Sequence, residues 1–292
     1  MPSPREIRRR IRSVKNMSQI TRALEMVAAS KMRRAQDRVT RSRPYYERLS
    51  QVLGDLAAAQ SDPEQLKAFP LLQARSEIKS TALILVTPDR GLSGALTANI
   101  IRRASVYLRE QKTAGVNVEV IAIGKKGIQF CARTKQNVVA EFQGLGDAPG
   151  LDDIRPATQI AIDEFLKGNV DAVHLIYSKF INTLVQRPEQ IQLLPIVRPE
   201  QSGTTEDYIF EPSPEEVLNG ILPRYVEGLV YQTVLDNVAS FYSAQMVAMR
   251  NATDNAKELT SDLQLALNKA RQAQITNEVA EIAAGANAFR VE

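Results

Sequence analysis

The chain has 292 residues, 44% of them hydrophobic and 24% charged, with no Trp and a single Cys. One cysteine excludes an intramolecular disulfide and a four-thiolate metal site and fits a reducing compartment, and no apolar run is long enough to cross a bilayer by itself. The net charge of +4 is unevenly spread: residues 1–48 hold fourteen Lys/Arg against four Asp/Glu, so the basicity belongs to one segment and the remainder is slightly acidic.

Taken in chain order, the first element is a helix. Ser3-Pro4-Arg5-Glu6 supplies an N-cap hydroxyl, a proline at the first helical position and a glutamate that can reach back to the cap amide. Ile7, Ile11, Val14, Met17, Ile20, Leu24 and Val27 recur at spacings of three and four, which predicts an apolar stripe. Pro44 marks an expected kink, and Leu49, Val52, Leu53 and Leu56 carry the period beyond it. Ser213-Pro214-Glu215-Glu216 repeats the start signal near the other end. Behind it come Val217, Ile221, Tyr225 and Leu229, then Ala252, Ala256, Leu259, Leu263, Leu267 and Ala270. Two helices of such length, with few breakers, are expected to project from a globular part and to cover each other's stripes as an antiparallel coiled coil.

Between them the pattern switches. Ala82–Val86, Val118–Ile123 and Ala172–Tyr177 read as buried strands, and Val185–Ile196 as a fourth at an edge, because Pro188 and Pro195 cannot donate to a central ladder. Helices are predicted over 94–109, 125–133 and 154–167. Alternation of strand and helix means an α/β domain with a largely parallel sheet. The resulting division is 1–60 for the first helix, 61–77 as a connection, 78–205 for the α/β domain and 206–292 for the last helix.

Candidate chemistry is sparse. Thr87-Pro88-Asp89-Arg90-Gly91-Leu92-Ser93-Gly94 joins a strand to a helix, where phosphates are often held. It lacks both the third glycine of a dinucleotide loop and the Gly-Lys-Ser/Thr of a triphosphate loop, so it reads as a tight turn. His174, the only histidine, lies in an apolar strand and reads as a core residue. Cys131 reads as a structural thiol. The adjacent pairs Asp152-Asp153 and Glu215-Glu216 read as helix-start acids favoured by the dipole. No catalytic constellation, cofactor site or metal site is expected. In the basic segment, arginines fall all around the helix with no aromatic interleaving, which argues against nucleic acid and for an acidic protein surface.

Three stretches together carry a resemblance. "ITRALEMVAASKMRRAQ", "MVAMRNATDNAKEL" and "ITNEVAEIAAGANA" are similar to the two terminal helices and the C-terminal signature of the gamma subunits of F-type ATP synthases. In the last stretch Ile275, Thr276, Glu278, Glu281, Gly285 and Ala286 match that signature. The resemblance runs over essentially the whole chain. It implies a long antiparallel coiled coil with an inserted Rossmann-like α/β domain, acting as the rotating, non-catalytic central shaft between a membrane c-ring and the catalytic beta subunits. It implies as partners three alpha and three beta subunits, an epsilon subunit and the c-ring, with no cofactor and only indirect membrane association.

The resemblance also maps residues. It puts Met26, Lys31, Arg33 and Arg34 where an acidic lever of each beta subunit passes. It puts Arg271, Gln272, Thr276 and Glu278 against beta-subunit loops, and Tyr208 and Glu211 at a foot on the c-ring and epsilon subunit. The short stretch from Arg198 to Glu211 and the lone Cys131 leave out the insertion and cysteine pair of chloroplast relatives. The cap at Ser3 argues against a transit peptide, which implies a bacterial plasma membrane, cytoplasmic side. The rival readings are a static coiled-coil scaffold or adaptor and an α/β enzyme with a helical arm.

Overall fold

The computed structural model of the chain describes residues 3–59, 69–197 and 213–288. Helices α1 (Pro4–Ala59) and α5 (Pro214–Ala288) bracket it. Between them lie β1 (Ser80–Val86), α2 (Leu96–Thr113), β2 (Asn117–Ile123), α3 (Lys125–Thr134), β3 (Asn137–Phe142), α4 (Leu151–Lys167), β4 (Ala172–Phe180) and β5 (Gln186–Leu194). Two compact units result. One joins the residues up to Val27 with those from Met246 onward; the other runs from Ala28 to Gln245.

In the first unit the two helical segments run antiparallel. Ile7 and Ile11 cluster with Leu267, the Thr21 and Thr253 hydroxyls meet at 2.7 Å, and Arg250 Nε donates to Glu25 Oε1 at 2.9 Å. Both helix starts are capped as their sequences predict. Ser3 N donates to Glu6 Oε2 at 3.0 Å and Glu6 N to Ser3 Oγ at 3.3 Å, and Glu216 N donates to Ser213 Oγ at 3.2 Å.

The seam differs from the expected stripe by one step. Met17, Ile20 and Val27 are 54%, 55% and 52% exposed, whereas Thr21 is only 6% exposed. Along α1 the buried or half-buried positions in this unit include Ile7, Ile11, Val14, Ser18, Thr21 and Glu25, with Leu24 also half-buried. Along α5 they include Met246, Met249, Thr253, Ala256, Thr260, Leu263, Leu267 and Ala270. Both series alternate spacings of three and four without a break, a repeat of 3.5. Counting apolar residues alone follows Met17, Ile20 and Leu259 off this seam, because the seam itself uses small and polar side chains.

The second unit is built on a five-stranded sheet of order β3-β2-β1-β4-β5. β1 to β4 are mutually parallel where they pair, and β5 runs antiparallel to β4. β1 is central because Thr81–Val86 is apolar or hydroxyl-bearing throughout and buried on both faces. β3 is the strand the sequence reading omits. "NVVAEF" alternates exposed and half-buried residues at the sheet edge, so it lacks a buried run. The predicted edge strand is β5, and Pro188 sits within it opposite Ser178 of β4.

One face of the sheet carries α2 through Leu96, Ile100, Ala104 and Tyr107, with the Tyr107 hydroxyl donating to Thr81 Oγ1 at 3.1 Å. Another apolar cluster joins Ile84, Val86, Ile121 and Leu175 of the sheet to α4 and to Leu53 of α1 and Leu218, Leu222, Val226, Val230 and Val234 of α5. Helix α1 continues through Pro44 without a break.

The end of β1 and the start of α3 approach so closely that Gly124 is required. Its φ is +95°, and a Cβ there would lie 1.9 Å from the Thr87 carbonyl oxygen. Gly124→Ala is therefore expected to destabilise the α/β unit by about 3 kcal/mol or more, combining positive-φ strain with a backbone clash. Denaturant unfolding of the purified variant measures it.

Candidate partner-binding surfaces

The cationic segment of α1 meets the loop that follows β3. Lys31 Nζ lies 2.5 Å from Asp147 Oδ2 and 5.4 Å from the centroid of the Tyr242 ring. Arg38 Nη1 donates to the Asp147 carbonyl at 3.0 Å. The Tyr242 hydroxyl donates to Asp147 Oδ1, and Arg90 Nη1 stands 3.9 Å from the same oxygen. Burial alone pushes the Asp147 carboxyl up. Hydrogen bonds from Lys31 and Tyr242 and the charges of Lys31 and Arg90 outweigh it, and its pKa ends below the usual carboxylate range. Tyr242 is pushed upward, first by burial and then by its bond to Asp147.

Of the residues that the resemblance singles out, Met26, Arg33 and Arg34 are exposed and Lys31 is half-buried in this cluster. Arg271, Gln272, Thr276 and Glu278 are all exposed on α5, as are Ile275 and Glu281, and Gly285 is half-buried. Thr276 Oγ1 bonds back to the Gln272 carbonyl at 2.9 Å, and Gln274 Nε2 donates to Glu278 Oε1 at 2.9 Å. Past Ala270 the helix carries Ile275, Val279 and Ile282 on its exposed surface. Ala286 lies in α5, but its side chain is outside the described set; Tyr208 and Glu211 lie outside the described residues.

The turn after β1 is tied to its own domain. Thr87 Oγ1 donates to the Ile123 carbonyl at 3.1 Å and accepts from Gly127 N at 2.7 Å. Asp89 accepts from Lys125 N at 2.8 Å and Gly144 N at 3.1 Å. Its carboxylate thus takes an amide at the start of α3. The cavity beside it, lined in part by Thr87, Asp89, Arg90, Asn237 and Tyr242, measures about 70 Å³, against roughly 300–1,000 Å³ for ordinary ligand pockets.

His174 packs beside Tyr107, ring centroids 5.2 Å apart, and burial lowers its pKa. Cys131 is buried, and burial, then the charge of Glu141, push its thiol up to about 11. Asp153 Oδ2 accepts from Gly150 N at 2.8 Å at the start of α4. Among the described residues no group of three His, Cys, Asp or Glu is arranged to hold a metal ion.

Asp147, Tyr242 and Asp236 are absent from the sequence reading. A single acid inside "GLGDAPG" is the one sequence signal for Asp147; its partners Lys31 and Arg38 stand 116 and 109 positions earlier. Asp236 is buried on α5 with Oδ1 unpartnered. Burial pushes its carboxyl up to about 6, with Arg43 and Lys179 opposing and Glu189 adding to the rise.

The ATP synthase family model matches residues 3–289. The chain is 56% identical over 290 residues to the ATP synthase gamma chain of Roseiflexus castenholzii, covering 99% of each. It is 55% identical to that of Chloroflexus aurantiacus, again over 99% of each, and 48% identical to that of Dehalococcoides mccartyi, covering 99% of this chain and all of the other. The fold is shared with a chain in the Euglena gracilis mitochondrial ATP synthase OSCP/F1/c-ring structure, TM-score 0.67 at 18% identity, covering 98% of this chain and 94% of that one. It is also shared with a chain in the Tetrahymena thermophila mitochondrial ATP synthase central stalk/c-ring structure, TM-score 0.57 at 24% identity, covering 80% and 99%.

Folded Asp236 keeps its proton to about pH 6, whereas the unperturbed carboxyl loses it near 3.8. The folded state therefore binds the extra proton between those values, and this group's contribution to stability falls as pH rises across that window. Asp236→Asn is expected to stabilise the protein by about 3 kcal/mol above pH 6, with the gain fading as pH approaches 4. Unfolding midpoints of both proteins across pH 4 to 8 provide the comparison.

Proposed function

We propose a function from one premise: this chain belongs to the ATP synthase gamma-chain family. It is a subunit of an F-type ATP synthase and forms the central stalk. The chain acts there as a rotating shaft, makes no bonds itself, and leaves catalysis to the beta subunits. Its shape couples proton flow through the c-ring to successive nucleotide affinities at three beta subunits, a free-energy coupling between distant sites. Three alpha subunits and an epsilon subunit complete the set of partners. The family match over residues 3–289 carries this reading; it disfavours a static scaffold and a free-standing enzyme.

The working division is a first helix over 1–60, a connection over 61–77, an α/β insertion over 78–205 and a last helix over 206–292. Among the described residues no helix is long and apolar enough to cross a membrane. Attachment through the c-ring on the cytoplasmic side of a bacterial plasma membrane is proposed from the family match.

Two surfaces are proposed to face the beta subunits. On α1, exposed Met26, Arg33 and Arg34 lie with Lys31. On α5, Arg271, Gln272, Thr276 and Glu278 are exposed beside Ile275 and Val279. Exposed cations attract an acidic lever without locking it, because a solvated ion pair is worth little and is easily broken. The small side chains of "AEIAAGANA" suit a shaft turning in a sleeve. Tyr208 and Glu211 are proposed for the foot.

Pull-down of the tagged chain from detergent-solubilised membranes is the direct test. Recovery of the nucleotide-binding hexamer with the c-ring is expected; recovery of the chain alone would end the reading. A sharper prediction concerns Met26, which is exposed and adjoins the cationic band. Met26→Lys is expected to cost under about 0.5 kcal/mol of stability, since both residues favour helix. It adds a cation facing an acidic lever, so proton pumping per ATP hydrolysed should fall in assembled complexes, as read by acidification of inverted vesicles. Wild-type coupling in that variant would remove Met26 from the contact.

A further inference from the structure

Lys31 is offered above as a contact cation, yet its ammonium is already held by Asp147, 116 positions along the chain. The pair is not sealed: its side chains are 24% and 40% exposed, and pairs of that kind break easily. Lysine carries its charge on a flexible four-carbon stem, so the ammonium can relocate without any movement of α1. Asp147 would not be orphaned by that departure. The Tyr242 hydroxyl still donates to Oδ1, Arg90 stands 3.9 Å from the same oxygen, and Arg38 keeps the backbone carbonyl. Exposed Arg33 and Arg34, by contrast, hold no ion pair among the described residues.

We propose that Asp147 is a positioning residue for Lys31, an internal carboxylate that competes with the acidic partner segment for the same ammonium as the shaft turns. The proposal rests on the shaft reading. Its physical content is exchange. When the partner acid approaches, Lys31 swings from one carboxylate to another; when it recedes, Lys31 returns to Asp147. The free-energy change on release is then the difference between two similar ion pairs, not the loss of one, and the contact stays breakable at every step. Asp147 also sets the charge of the band at rest, cancelling one of its cations and leaving the arginines to make the first approach.

The test uses the assembled complex carrying Asp147→Asn, Lys31→Gln or both, with ATPase turnover followed against ionic strength. Asp147→Asn should slow turnover about threefold at low salt, because a freed Lys31 clings to the partner acid. The deficit should shrink as salt screens the attraction. In the Lys31→Gln background the same substitution should change turnover by less than about 1.5-fold. An equal slowing in that background, a slowing indifferent to salt, or no slowing at all would overturn the proposal. Asp147→Glu keeps the charge and guards against loss of assembly in the Asn variant; turnover within about 1.5-fold of wild type is expected for it, and a fall as deep as that of Asn would show that shape and not charge matters. Failure of the wild-type chain to join the hexamer would sink the shaft reading itself, whereas normal assembly without charge coupling sinks only the role of Asp147.

Discussion

The structure depends on the two ends of the sequence pairing. Thr21 and Thr253 touch although 232 positions separate them, and the same unit aligns Ile7 and Ile11 with Leu267. A contact of that range closes a very long loop, and its entropic cost is tolerable because the cost grows only slowly with length and because folding of the α/β domain orders most of the chain between. The seam is built from residues that interlock instead of residues that bury much oil. Thr21, Thr253 and Ala256 sit where leucines would sit in a stronger coil. Small side chains bring two backbones close, and the 3.5 repeat keeps them in step.

That economy leaves large apolar side chains outside. Met17, Ile20, Met26 and Val27 on α1, and Ile275, Val279 and Ile282 on α5, are all exposed. Scattered exposed apolars need no explanation, but so many within one two-helix unit suit a surface that spends its life surrounded. The charged surface is managed differently. Where α1 runs beside the α/β domain, one cation is answered by Asp147 and a second by its carbonyl. The folded domain therefore decides how much positive charge the helix displays.

Much of this architecture was legible because it is local. The caps at Ser3 and Ser213 are written within four residues, and β1, β2 and β4 announce themselves as buried runs. What was not legible is what depends on partners. β3 looks like a loop until an edge needs a strand, and its alternating exposure is the trace. Met17 and Ile20 lie off the seam although they are apolar, because a coil selects by position and accepts Ser18 and Thr21. Asp147 could not have been found from spacing, since its partners Lys31, Arg38, Arg90 and Tyr242 come from three separate stretches. The exposed candidates Arg271, Gln272, Thr276 and Glu278 rest on likeness alone, for the hydrogen bonds at them among the described residues are local ones within α5.

The lone thiol has a practical corollary. Cys131 is fully buried and stays protonated well above neutrality, so maleimide dyes and mild oxidants find no purchase on the folded chain. A cysteine introduced at an exposed turn of α5, such as Val279 or Ile282, would then be the one labelled sulfur in the molecule. A fluorophore or bead could be fixed to a chosen point with Cys131 left in place, and the chain's angular position followed optically one molecule at a time.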